Sequence, residues 1–138
     1  MTNMKNSLVW LFEDDKYKIY SHFEYVYLKD KSSCHVLDDW KKADDSSIGW
    51  IYGEPTGALI LNKRFAVVVG SGIYIYDITN GKLKEYYNEP DRIKWIETVY
   101  QEYSDKINEE FRFVAFNDND DLRVFRFNIK NEQLEEIK

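Results

Sequence analysis

One cysteine, two prolines, six glycines and two histidines are all that 138 residues contain of these types, and each scarcity removes a class of protein. A lone Cys34 closes no disulfide within the chain, so a small scaffold stapled by disulfides is excluded. Two imidazoles, His22 and His35, and one thiol fall short of the three or four close ligands of a zinc centre. Cys34 and His35 are chain neighbours, which an extended backbone points to opposite sides, so they make no nucleophile and base pair. The longest apolar runs are about five to six residues, far below the roughly 20 of a membrane helix. Met1 to Leu11 lacks the apolar core and small-residue cleavage site of a secretory leader. These absences lead to the expectation of a reduced, cytoplasmic protein with no membrane contact, no metal and no cofactor.

Glycine-rich and acidic segments are equally uninformative about catalysis. Gly70-Ser71-Gly72 runs into a strand pattern and lacks the Lys-Ser/Thr pair of a phosphate loop. A calcium loop opening at Asp118 needs Gly at its sixth position and Glu at its twelfth, where Arg123 and Ile129 stand. The acidic groups Glu13-Asp14-Asp15, Asp38-Asp39, Asp44-Asp45, Glu109-Glu110 and Glu135-Glu136 read as solvated turns, not as an acid and base pair. No catalytic residue is assigned, and the chain is not expected to be an enzyme.

Aromatics and acids are what the chain has in quantity. Four Trp, eleven Tyr and eight Phe suit a bulky, β-rich core. Nineteen basic against twenty-five acidic residues give a net charge of −6, which disfavours direct binding of nucleic acid. The imbalance is concentrated: residues 1–69 carry 9 basic and 10 acidic side chains, residues 70–138 carry 10 and 15.

Periodicity predicts a single β-dominated α+β domain over 1–138, an antiparallel meander of hairpins with one amphipathic helix near residues 91–105. Leu8 to Phe12 reads as a buried strand, hairpinned through Glu13-Asp14-Asp15 to a long half-buried strand with Tyr17, Ile19, Ser21, Phe23, Tyr25 and Tyr27 on one face. Residues 29–47 read as loop, and Ile48 to Gly53 as a strand. Ala58 to Leu61 and Phe65 to Val69 flank Asn62-Lys63-Arg64 as a hairpin, and Ile73 to Ile78 follows. Asn80-Gly81 suits a tight turn with positive φ at both central residues. Ile93, Ile96, Val99, Tyr100, Tyr103 and Ile107 are spaced by threes and fours, with Asn88 to Asp91 as an N-terminal cap, so a helix is expected there; a strand through Ile93 and Trp95 is the rival. Phe111 to Phe116 and Leu122 to Ile129 then make a hairpin around Asn117 to Asp121. At a shift of 51 residues, Ile73-Tyr74, Tyr76-Asp77-Ile78, Asn80 and Leu83 correspond to Val124-Phe125, Phe127-Asn128-Ile129, Asn131 and Leu134, while Ile75 meets Arg126 and Gly81 meets Glu132. Two copies are too few for a repeat fold, and hairpins converge readily.

With β hairpins, an amphipathic helix, the acidic pairs Asp38-Asp39 and Asp44-Asp45, the neighbouring Trp40 and no catalytic set, the chain resembles the small acidic immunity proteins of bacterial contact-dependent inhibition and related polymorphic toxin systems. The resemblance implies a stoichiometric inhibitor that binds a cognate toxin domain, commonly a nuclease, and covers its active site or substrate channel. A nuclease presents positive charge to its polyanion, so an acidic partner with aromatic anchors can occupy the same surface. The residues expected at such an interface are Asp38, Asp39, Trp40, Asp44 and Asp45, with Asp118, Asp120 and Asp121 as a second acidic turn. The alternative is a carbohydrate-type ligand-binding module in which Trp40, Trp50, Tyr52, Tyr74 and Tyr76 stack on sugar rings.

Overall fold

The computed structural model describes residues 8–30, 46–50, 55–86, 93–117 and 119–137. Their strands form three four-stranded antiparallel sheets, each a meander in chain order. The first holds β1 (Leu8–Glu13), β2 (Tyr17–His22), β3 (Tyr25–Asp30) and β4 (Ser46–Trp50). β5 (Gly57–Leu61), β6 (Phe65–Val69), β7 (Ile73–Asp77) and β8 (Lys82–Tyr86) make the second. The third contains β9 (Ile93–Tyr100), β10 (Glu110–Asn117), β11 (Leu122–Asn128) and β12 (Gln133–Ile137), with the one-turn helix α1 (Tyr103–Ile107) between β9 and β10.

Strands β5, β6 and β7 of the second sheet are buried on both faces, which explains why they are largely continuous apolar runs rather than alternations, whereas the edge strand β8 is exposed. Leu59, Leu61, Val67, Val69, Ile73 and Ile75 pack on Ile96, Phe111, Phe113, Phe125 and Phe127 of the third sheet. On the opposite face, Ala58, Ile60, Ala66, Val68 and Tyr74 pack with Tyr17, Ile19 and Val26 of the first. The sheets therefore stack in chain order, with β5 lying against both β1 and β9. Successive four-stranded meanders stacked with their first strands adjacent are the arrangement of neighbouring blades in a β-propeller.

The expected strand over residues 17–27 is in fact a hairpin. Tyr17 pairs with Asp30 and His22 with Tyr25 around the turn at Phe23 and Glu24, where Phe23 adopts φ of 57°. Paired residues share a face, so Ser21 goes with Val26 and Tyr20 with Tyr27; side-chain parity switches across the turn. No Gly or Asn marks that reversal, and alternation alone could not reveal it.

The amphipathic helix near 91–105 is likewise corrected. Residues 93–100 form strand β9, and the helix begins only at Tyr103. Thr98 pairs with Val114 and Ile96 with Ala115, leaving Glu97 as an extra residue in a β-bulge. That insertion brings Ile96 and Val99 onto the same buried face although they are three apart, so a bulged strand reproduced the spacing of a helix. Tyr103 and Ile107, which the helical pattern places in the core, are 84% and 75% exposed.

Asn80-Gly81 sits in a turn, but only Gly81 has positive φ, at 74°. The pair of positive φ values occurs instead at Asn62 and Lys63, 53° and 55°, where the Arg64 N–H donates to the Leu61 carbonyl.

Third-sheet residues facing away from the stack carry charge. Arg126 bonds Glu135 at 3.0 Å and lies 3.8 Å from Glu110, while Arg112 donates to buried Asp105 at 2.9 Å. Arg126 stands where the 51-residue correspondence puts Ile75, which in the second sheet packs against the next sheet. An ion-paired arginine in place of an interface isoleucine makes this face of the third sheet polar.

Candidate partner-binding surface

The two ends of the strands can be told apart by what the turns share. A cavity of about 590 Å³ is lined by Asp14 of the β1–β2 turn, Asn62 and Lys63 of the β5–β6 turn, and Gln101 and Lys106 from the β9–β10 connection. All three first connections therefore lie at one end. Because every sheet is an antiparallel meander, the β2–β3, β6–β7 and β10–β11 connections lie together at the opposite end.

At that opposite end the first sheet presents aromatics to solvent. Phe23 is 54% exposed, Tyr25 51%, and Trp10, two residues into β1, 53%. They rest on a packed aromatic base: Trp10 meets the buried Tyr20 edge-on with ring centroids 5.1 Å apart, and Tyr20 stacks on Tyr27 at 5.3 Å. Phe23 touches the His22 ring at 4.6 Å, and Lys18 lies 4.8 Å from the Trp10 ring centre and 3.9 Å from Glu13. Aromatic side chains with few rotatable bonds, held from behind by other rings, lose little entropy when a partner covers them. The sequence pattern assigned Trp10, Phe23 and Tyr25 to buried faces; for Phe23 and Tyr25 the missing information was the turn at Phe23 and Glu24.

The third sheet brings acids to the same end. Asp120 and Asp121 are exposed in the loop after β10. Asn117 shapes it: its side-chain oxygen accepts from the N–H groups of Asn119 at 2.9 Å and Asp121 at 3.0 Å, and its own N–H donates to the Asp121 carbonyl at 2.9 Å. Asp120 takes φ of 62°, and Asp121 lies 3.7 Å from Arg123. Of the expected interface, Asp38, Asp39, Trp40, Asp44, Asp45 and Asp118 lie outside the described residues. Trp50 is described only as the end of β4, opposite Tyr25, and Tyr52 lies outside. Tyr74 is buried, and Tyr76 is half-buried against the cluster that the first and second sheets share.

Among the described residues, no three His, Cys, Asp or Glu side chains converge as ligands for a metal ion. No helix there is long and apolar enough to cross a membrane. A networked ion pair lies at the other end, where Arg64 donates to Asp77 through Nη2 at 3.0 Å and Nε at 3.3 Å. The Asp77 carboxylate also accepts from the Thr79 N–H at 3.0 Å and from the Thr79 hydroxyl. These bonds, from Arg64 first and Thr79 second, hold the Asp77 carboxyl at about 2, against the opposing effect of its burial. Such a group ties down a turn and stays ionised; it does not exchange protons near neutrality.

No protein-family model matches the sequence, and no curated protein matches it. Among solved structures, the N-terminal domain of Nup159 is similar over 94% of this chain and 29% of its own, with 12% sequence identity and a TM-score of 0.47. The chain thus spans less than a third of that domain's length.

Proposed function

We propose that this protein is a non-catalytic binding protein whose partner is another protein, a cognate toxin domain with a basic surface, which it neutralises by covering the active site or substrate channel. The observation that supports it is the placement of three half-exposed aromatics, Trp10, Phe23 and Tyr25, at the same end of the stack as the exposed acids Asp120 and Asp121. Rigid aromatic anchors slow dissociation by filling pockets in the partner, while acids at the rim speed encounter with a basic surface. The chain's net charge of −6 acts in the same direction over longer range. Asp38, Asp39, Trp40, Asp44 and Asp45 are the further proposed contacts, and the proposed location is the cytoplasm, where such a toxin would act.

The test is copurification followed by kinetics. The tagged chain, expressed with the toxin domain encoded beside it, should retain that domain at one-to-one ratio. Trp10→Ala and Phe23→Ala should raise the dissociation rate about tenfold or more at unchanged melting temperature. Asp120→Lys with Asp121→Lys should slow association at low salt and lose that effect at high salt. Retention of no protein, or unchanged rates in both variants, overturns the reading.

A further inference from the structure

Against the acidic character of the whole chain, one cleft is basic. It lies between the second and third sheets at the end opposite the aromatic surface, has a volume of about 440 Å³, and gathers Arg64, Lys82, Lys84 and Lys130 with only two carboxylates, Asp77 and Glu109. Its floor is apolar, from Phe65, Ile75 and Ile129, and Tyr86 forms part of its wall. The four cations come from three separate stretches of chain: the β5–β6 turn, strand β8 and the β11–β12 turn. Their convergence is therefore a property of the stacked sheets.

The local carboxylates offset part of that charge but not all of it. Asp77 is engaged by Arg64, by Thr79 and, through Asn80 Nδ2 at 3.2 Å, by the turn that follows it. Glu109 accepts from Asn62 at 3.4 Å. Lys84 is held 3.4 Å from Glu132, which also accepts from the Tyr86 hydroxyl. Lys82 and Lys130 make no ion pair with any described residue. Two exposed lysines lining an apolar-floored cleft, beside a guanidinium fixed at 4.8 Å over the Phe65 ring, leave the cleft with a net positive charge after Asp77, Glu109 and Glu132 are set against its four cations.

We infer that this cleft binds a small phosphate-bearing ligand with an apolar or flat body, the phosphate between Lys82 and Lys130 and the body on Phe65, Ile75 and Ile129. Lysine ammonium groups recognise phosphate as point charges without requiring one fixed geometry, which suits two side chains on different sheets. The volume is that of a small-molecule site, and a few converging polar groups over an apolar floor are how such sites set orientation. Binding here is independent of the aromatic end, so a partner protein and the anion can occupy the molecule together.

The probes are phenyl phosphate, adenosine 5′-monophosphate, inorganic phosphate and adenosine, titrated into the full chain by calorimetry and by amide shift mapping. Saturable one-to-one binding of the two phosphate esters is expected, tighter than inorganic phosphate, with shifts confined to Asn80, Lys82, Tyr86 and Lys130. The exposed double variant Lys82→Gln, Lys130→Gln should keep the melting temperature and weaken binding about tenfold or more, because two charged hydrogen-bond donors are lost. Lys106→Gln, beside the separate cavity at the same end, should leave binding unchanged. The inference is overturned if neither ester saturates at millimolar concentration, if adenosine binds as tightly as its monophosphate, or if Lys106→Gln weakens binding as much as the double variant does.

Discussion

Asp77 and Asn128, 51 residues apart, hold equivalent turns in neighbouring sheets. Each ends the third strand of its sheet, and each backbone carbonyl accepts an N–H at 2.8 Å, from Gly81 and Glu132 respectively. The next level repeats as well: the Asn80 side chain accepts from the Lys82 N–H at 2.9 Å, and the Asn131 side chain from the Gln133 N–H at 3.0 Å. The two side chains differ in charge because their neighbours do. Asp77 meets Arg64, whereas the Asn128 amide donates to Glu110 at 3.3 Å.

This relationship predicts how stability responds to acid. The carboxyl of Asp77 lies at about 2 in the folded protein, below the ordinary 3.8. Its contribution is therefore complete above pH about 4 and is lost as pH falls through about 2, since the unfolded chain then binds the proton first. Asp77→Asn should keep the turn, as Asn128 does, and flatten the stability profile between those limits. Carboxyl titration by NMR together with denaturation at several pH values checks both; an Asp77 carboxyl titrating near 4 contradicts the prediction.

Gly81→Ala tests the backbone of the same turn. A methyl group there would meet nothing nearer than the Tyr76 hydroxyl at 3.6 Å, so space is available. The cost comes from φ of 74° and should be about 1–2 kcal/mol in chemical denaturation. Gly57→Ala, with ordinary φ and contacts no nearer than 3.5 Å, should cost less.

Substitutions along 96–107 separate the bulged strand from a helix. Ile96→Ala removes a fully buried side chain and should destabilise by about 2–4 kcal/mol. Tyr103→Ala and Ile107→Ala should each change stability by no more than about 0.5 kcal/mol, because both side chains are largely in water. An amphipathic helix would make all three costly, and equilibrium urea unfolding distinguishes the outcomes.

Arg126→Ile restores on the third sheet the residue type found at position 75 of the second. Its ion pairs with Glu135 and Glu110 would be lost and apolar surface gained on a face that the charged pair keeps wet. Concentration-dependent self-association is expected by analytical ultracentrifugation, with the wild-type chain less associated at the same concentration. Equal sedimentation of the two proteins would show that the arginine does not keep this face from associating.

The sequence by itself determined most of the strands. Short, β-branched apolar runs bounded by turn residues, such as Phe65 to Val69, fit strands buried on both faces, and the alternation in 110–117 marks a sheet with one face inward. Correspondence at 51 residues was legible too, and β8 and β12 obey it to the residue. Tertiary structure decided what local pattern leaves degenerate. A bulge at Glu97 and a helix give buried residues the same spacing of three, and only pairing with β10 selects the bulge. The reversal at Phe23 carries no turn-forming residue, so only the hydrogen bonds between β2 and β3 place it, and with it the exposure of Phe23 and Tyr25. The basic cleft was illegible for a related reason: Arg64, Lys82 and Lys130 are scattered among acids along the chain, and their charges sum to one field only after the second and third sheets pack face to face.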